Sequence, residues 1–232
     1  MGLKEPGLRG SLRNVSVGID AIPDSLELQL VAEDIDGSTG EWPARTGDST
    51  LSEVGSPTVV TDDLNGETSV SYDGSDGHSD SSTTFGIDPP FGVIAVVQYR
   101  NTSPEDFGRY ILDNNDGSRG ATFGIGDGDP APFFANSDGG LTSTNVPNEN
   151  EWLIQSFVVN ESNNDSEIRV NKSLDTADTI NTQRAEGLRV GCANDETSNF
   201  LDGKITEIQI VSNLDDVAVA EDFVDSKYNV TG

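Results

Sequence analysis

Asp- and Gly-rich turns hold most of the side chains in this sequence that could do chemistry. The stretch YDGSDGHSDS, residues 72–81, sets Asp73, Asp76 and Asp80 around His78, the chain's one histidine. A histidine can activate a nucleophile when a hydroxyl or thiol and an orienting carboxylate stand beside it. No spacing here nominates such a partner, so His78 reads as an exposed turn residue. Oxygen-rich turns suit calcium better, because it takes hard carboxylate and carbonyl ligands. Three turns qualify: DIDGSTGE with Asp34 and Asp36, DNNDGS with Asp113 and Asp116, and GDGDP with Asp127 and Asp129. None has EF-hand spacing, since the required glycine falls one place early or late. Calcium is the one cofactor these turns suggest, against the plainer reading of solvated acidic loops. Asn-x-Ser/Thr acceptors for N-glycosylation occur at Asn14, Asn101, Asn160, Asn164, Asn171 and Asn229.

The elements that must position these turns are short strands. Candidates lie at 26–32, 68–73, 92–100, 109–113, 121–125, 152–159, 167–172, 187–192 and 203–212, divided by Gly, Asn, Asp and Pro clusters. In KITEIQIV, alternation puts Ile205, Glu207, Gln209 and Val211 on one face and Thr206, Ile208 and Ile210 on the other. Many such strands argue for a two-sheet sandwich. One helix closes the chain: Asp215 is placed as N-cap, and Val217, Ala220, Val224 and Tyr228 recur at helical spacing.

Composition bounds the partners. Asp and Glu total 41 against 13 Lys and Arg, a formal charge of −28 over 232 residues. That excludes the usual basic nucleic-acid surface. Apolar blocks such as GVIAVVQY argue for a packed core over disorder. Four lysines against nine arginines, abundant Asp and a modest apolar fraction resemble proteins of salt-saturated cytoplasm, as in haloarchaea and their viruses. At molar salt, repulsion between surface charges is screened within about 3 Å. The single cysteine, Cys192, makes no internal disulfide and reads as a buried small residue. No apolar run approaches a membrane span, and no secretory h-region is visible near the N-terminus. Residues 1–24 read as an extended docking arm, in which Lys4, Arg9 and Arg13 oppose Glu5, and residues 25–232 as one domain.

The closing segment resembles the laminin-G-like, concanavalin A-like jelly roll. Gly191, Phe200, Gly203, Ile205, Glu207, Ile208 and Ile210 follow that family's G…F-x-G-x-I-x-E-I-x-I signature, and Phe223 and Tyr228 fall on its final helix. Asp36, Trp42, Thr46, Gly47 and Tyr72-Asp73-Gly74 match its earlier part, with Ala44 departing from the usual aspartate. The resemblance implies an all-β, two-sheet antiparallel sandwich with strands from both chain ends adjacent. It also implies recognition of glycans or proteins through rim loops or a concave sheet face. The glucanase branch of that fold carries Glu-x-Asp-x-x-Glu on one strand, a spacing absent here, so no enzyme is expected.

An adhesion-type fold with no visible export signal suggests a virion surface protein of a halophilic archaeal virus: a capsid turret or decoration, or a tail-fibre or tail-tip subunit. The arm would dock other virion proteins, the chain would form a homo-oligomer, and host surface glycans are a further expected partner. The alternative is a secreted or cell-surface haloarchaeal binding module in the extracellular medium.

Overall fold

The computed structural model describes residues 22–55, 57–81, 85–102, 109–113, 122–125, 132–136, 139–160, 166–179, 184–193 and 199–232. In chain order the strands are β1 (Leu26–Val31), β2 (Glu41–Pro43), β3 (Thr50–Val54), β4 (Thr58–Leu64), β5 (Glu67–Asp73), β6 (His78–Ser81), β7 (Gly86–Ile87), β8 (Phe91–Tyr99) and β9 (Arg109–Asp113). They continue with β10 (Thr122–Ile125), β11 (Pro132–Asn136), β12 (Gly139–Thr142), β13 (Trp152–Val159), β14 (Ser166–Val170), β15 (Ser173–Asp178), β16 (Ala185–Glu186), β17 (Arg189–Val190) and β18 (Asp202–Val211), before the helix α1 (Val217–Tyr228). The first sheet runs β15-β14-β13-β8-β18-β5-β4, with β1 also paired to β18; the second runs β12-β11-β10-β9-β17-β6-β3-β2. The pairings are antiparallel, as a jelly-roll sandwich requires. β18 serves two partners in series: Asp202–Ile205 pairs β5, and Glu207–Val211 pairs β1. Strands from opposite ends of the domain are therefore neighbours.

Three layers follow from the apolar pattern. Between the sheets lie Leu28, Trp42, Leu51, Tyr72, Phe123 and Phe157 among others. On the far side of the first sheet, Ile94, Val96, Ile154 and Val158 pack under Val217, Ala220, Val224 and Tyr228 of α1. All nine residues of β8 are buried, because core lies on one of its faces and the helix on the other. That is why this strand is a continuous apolar run and does not alternate. Trp42 Nε1 donates to Val31 O at 2.8 Å. Tyr99 donates to Gln155 Oε1 at 2.7 Å, and Gln155 Nε2 to Gly124 O at 3.2 Å, which ties the first sheet to the second across the core.

Three sequence expectations change. Simple alternation fails in β18, where the register with β8 shifts between Ile205 and Glu207. The extra residue, Thr206, makes a bulge, so Ile205, Ile208 and Ile210 all face the inter-sheet core. Glu207 stays on the helix side with Val211. Asp215 is not the N-cap of α1. A 3-10 turn at Leu214–Asp216 precedes the helix, capped by Asn213, whose side chain accepts from Asp215 N. Asp216 accepts instead from Ser25 N and Oγ. His78, expected in an exposed turn, begins β6 and is 2% exposed. Ser79 and Ser81 beside it are buried too, and Tyr72 Oη meets Ser79 Oγ at 3.2 Å.

Candidate binding face

The two sheets present different outer faces. That of the first sheet is occupied by α1, and the anchor is Glu207. This carboxylate is fully buried and accepts four hydrogen bonds: Gln29 Nε2 at 2.8 Å, Gln209 Nε2 at 2.5 Å, Lys227 Nζ at 2.9 Å and Tyr228 Oη at 2.7 Å. Two of the donors are on the helix, one on β1 and one on β18, so one side chain joins both chain ends to the sheet. Burial, then the negative charge of Glu207, pushes the Tyr228 phenol far above its ordinary value. A groove of about 250 Å³ remains between β13–β14 and the start of α1, with Val158, Leu214 and Val217 beneath Asn160, Glu167 and Arg169. Its guanidinium is held by Glu221 at 2.9 Å and by Lys172 O at 2.9 Å.

The outward face of the second sheet is built differently. Leu51, Val190 and Leu112 point into the core. The residues between them point away, and register sets them in one row across five strands. Glu41 pairs Ser52, Ser52 pairs Asp80, Asp80 pairs Arg189, and Arg189 pairs Asp113. Arg189 Nη2 meets Asp80 Oδ2 at 3.0 Å, with the arginine side chain 3% exposed and the aspartate 27%. Asp113 is 4% exposed. A buried guanidinium therefore orients a carboxylate that still reaches solvent. Glu41 and Ser52 are exposed, as is Val54 one row on, opposite His78. His78 Nε2 is buried without a hydrogen-bond partner, and its ring lies 6.3 Å from that of Phe200.

The calcium candidates do not converge in the described residues. Asp34 accepts from Arg45 Nε at 2.5 Å and Nη2 at 3.0 Å. Asp36 accepts from Ser38 Oγ at 2.6 Å and Ser38 N at 2.8 Å, bonds that hold its carboxyl below the ordinary value. Asp113 sits in the second-sheet row, far along the chain from both. Among the described residues no group of three His, Cys, Asp or Glu side chains is placed to hold a metal. Asp116, Asp127 and Asp129 lie outside the described residues, as do Lys4, Arg9 and Arg13 of the arm.

Of the sequons, Asn14 and Asn164 also lie outside. Asn101 follows β8 and is half-buried. Asn160 lines the groove beside α1. Asn171 occupies a positive-φ turn and accepts from Ile154 N at 3.0 Å. Asn229 is the left-handed cap of α1, and the hydroxyl of its Thr231 donates to Asp225 at 2.7 Å. The row itself was not read from the sequence. Its one local sign was Arg189, a charge inside the apolar run GLRVGC, since a buried arginine on a strand needs a carboxylate on a neighbour.

No protein-family model and no curated protein matches the chain. Solved structures do match. The binding domain of Paraclostridial Mosquitocidal Protein 1 superposes with a TM-score of 0.64 at 14% identity, over 89% of this chain and 53% of that one. The binding domain of botulinum neurotoxin DC in complex with SialylT gives 0.59 at 14% identity, over 87% and 51%. Domain 4 of AbnA, a GH43 extracellular arabinanase from Geobacillus stearothermophilus, in complex with arabinotriose, gives 0.55 at 13% identity, over 83% and 94%. The chain thus spans about half the length of the toxin binding domains and nearly all of the arabinanase domain. At these identities the likeness establishes the sandwich fold.

Proposed function

We propose that the chain is a non-enzymatic glycan-recognition module whose ligand lies on the outward face of the second sheet, along Glu41, Ser52 and Asp80. The observation that carries this reading is the division of labour between the faces. The middle of the first sheet is covered by α1, tied down through the Glu207 hub, whereas the second sheet presents a carboxylate held in place by a buried arginine. A carboxylate held on a rigid sheet beside an exposed hydroxyl suits a polyol ligand, because a pre-positioned group loses less freedom on binding. Matching domains solved in complex with SialylT and with arabinotriose support the same reading. The test is glycan binding in molar salt by the parent chain and by Ser52→Trp, which blocks the middle of the row from an exposed position. Binding should fall at least about ten-fold with the melting temperature unchanged. Retained binding by this variant would remove the ligand from this face.

In its finer form the reading is a virion surface protein of a halophilic archaeal virus, anchored by residues 1–24 and built as a homo-oligomer. The charge of −28 supports the high-salt setting. The basic arm on an acidic domain supports docking on an acidic neighbour. Deleting residues 1–19 should leave the sandwich folded in molar salt and abolish incorporation into particles. Incorporation of the truncated chain would exclude the arm as the anchor. A secreted or cell-surface haloarchaeal module is the second reading, favoured by the likeness to an extracellular arabinanase domain; absence of the chain from purified virions would select it.

A further inference from the structure

We propose that Asn65–Gly66 is a deamidation site gated by the docking of α1, and that its product loosens the end of that helix. Asn65 and Gly66 form the two-residue loop between β4 and β5, with Leu64 paired to Glu67 on either side. Their φ values of 51° and 91° are those of a type I′ turn, the hairpin turn that favours Asn-Gly. Both residues are exposed, and a Cβ built on Gly66 would meet nothing within 4 Å. This is the one Asn-Gly step in the sequence. The Asn65 side chain also has a long-range task. Its Nδ2 donates to the backbone carbonyl of Tyr228, the last residue of α1 and 163 positions away. A carbonyl in the last turn has no donor within its own helix, so Asn65 supplies from the hairpin what the helix lacks.

In the reaction Gly66 N attacks Asn65 Cγ. The N–Cγ bond forms, the Cγ–Nδ2 bond breaks, and Nδ2 leaves as ammonia with the proton given up by the Gly66 amide. Water then opens the cyclic imide at either carbonyl and leaves an aspartyl or isoaspartyl residue at position 65. Ring closure needs the side chain to leave Tyr228 and the Asn65 Cα–C bond to turn from its I′ value of about 30°. Docked α1 therefore holds the reaction back, and each local opening of the helix end permits it. The product cannot restore the clasp. Its carboxylate has no hydrogen to donate, and it sets a negative charge at the negative end of the helix dipole. What loosens is the cover over Ile94, Val96, Ile154 and Val158, the apolar strip of the first sheet beneath α1.

The full chain is held in mildly alkaline molar KCl, folded and in parallel unfolded by urea, and sampled by peptide mass spectrometry. Deamidation at Asn65 should be about ten-fold or more slower in the folded chain. Tyr228→Phe weakens the seat of the helix without touching the Tyr228 carbonyl, and should speed the folded reaction several-fold. If that variant does not fold, Lys172→Gln makes the same comparison, since Lys172 is half-exposed and pairs Asp222 and Asp225 of α1. Hydrogen exchange across α1 should rise in Asn65→Asp. It should rise less in Asn65→Gly, which keeps the turn and removes the donor without adding charge. Equal rates in folded and unfolded chain, or no acceleration when α1 is weakened, would overturn the gating. Exchange in Asn65→Asp no faster than in the parent would overturn the link from product to helix. Exchange in Asn65→Asp matching that in Asn65→Gly would remove the charge as a cause.

Discussion

Single side chains decide how this sandwich is held. Glu207 accepts from a lysine, a tyrosine and two glutamines while fully buried, so each donor depends on it. Glu207→Ala strands a partly exposed ammonium and three further donors, and should cost about 3–5 kcal/mol. Tyr228→Phe removes one bond to a charged acceptor and should cost about 1.5–3 kcal/mol; denaturant titration in molar salt measures both. Glu53 acts in the opposite sense. Burial raises its carboxyl above the ordinary value, and its Oε1 is buried without a partner. An acid whose folded pKa is raised destabilises the fold above its unfolded pKa, so stability falls as pH rises through the carboxylate range. Glu53→Gln should therefore raise the melting temperature at neutral pH and leave it unchanged near pH 3, where the acid is already protonated in both states. An equal effect at both pH values would show that charge is not the cause.

At the scale of elements, close approach explains the residues that look least informative. A Cβ on Gly92 would lie 2.5 Å from Val217 Cγ2 and 3.2 Å from Val211 Cγ2, so this glycine lets α1 sit down on β8. Gly92→Ala should displace the start of the helix and cost about 1–3 kcal/mol, with the sheets retained by circular dichroism. A Cβ on Gly203 would meet Gln98 O at 2.2 Å, backbone that cannot yield without parting β18 from β8. Gly203→Ala is expected to leave no folded protein. Legibility differed between elements for physical reasons. β8, β13 and α1 stood out because their burial writes an apolar pattern into local sequence. β15 did not, because SLDTAD at a sheet edge buries little, and β6 did not, because the residues it buries are polar. β18 was recognised, yet its facing was misread, because a one-residue bulge reverses parity beyond it.

The whole molecule is governed by charge. A formal −28 on one domain produces self-repulsion that salt relieves, so the melting temperature should climb steadily from about 0.1 M to above 1 M KCl. A flat response would show that pairs such as Lys204–Asp63 and Lys172–Asp225 already neutralise the surface where it matters.

The sequence by itself determined the all-β class, the closing helix with Val217, Ala220, Val224 and Tyr228 inward, and, through the family resemblance, that strands from the two ends of the domain lie close together. These rest on local periodicity and on one motif, and both are written in contiguous residues. Only the tertiary structure decided that His78 is buried, that Glu207 joins helix to sheet, and that Glu41, Ser52, Asp80, Arg189 and Asp113 share a row. Those five residues span more than half of the chain, and antiparallel register alone brings them together. A local pattern says which side of a strand is wet, but which strands lie beside it is settled by the global packing of the two sheets.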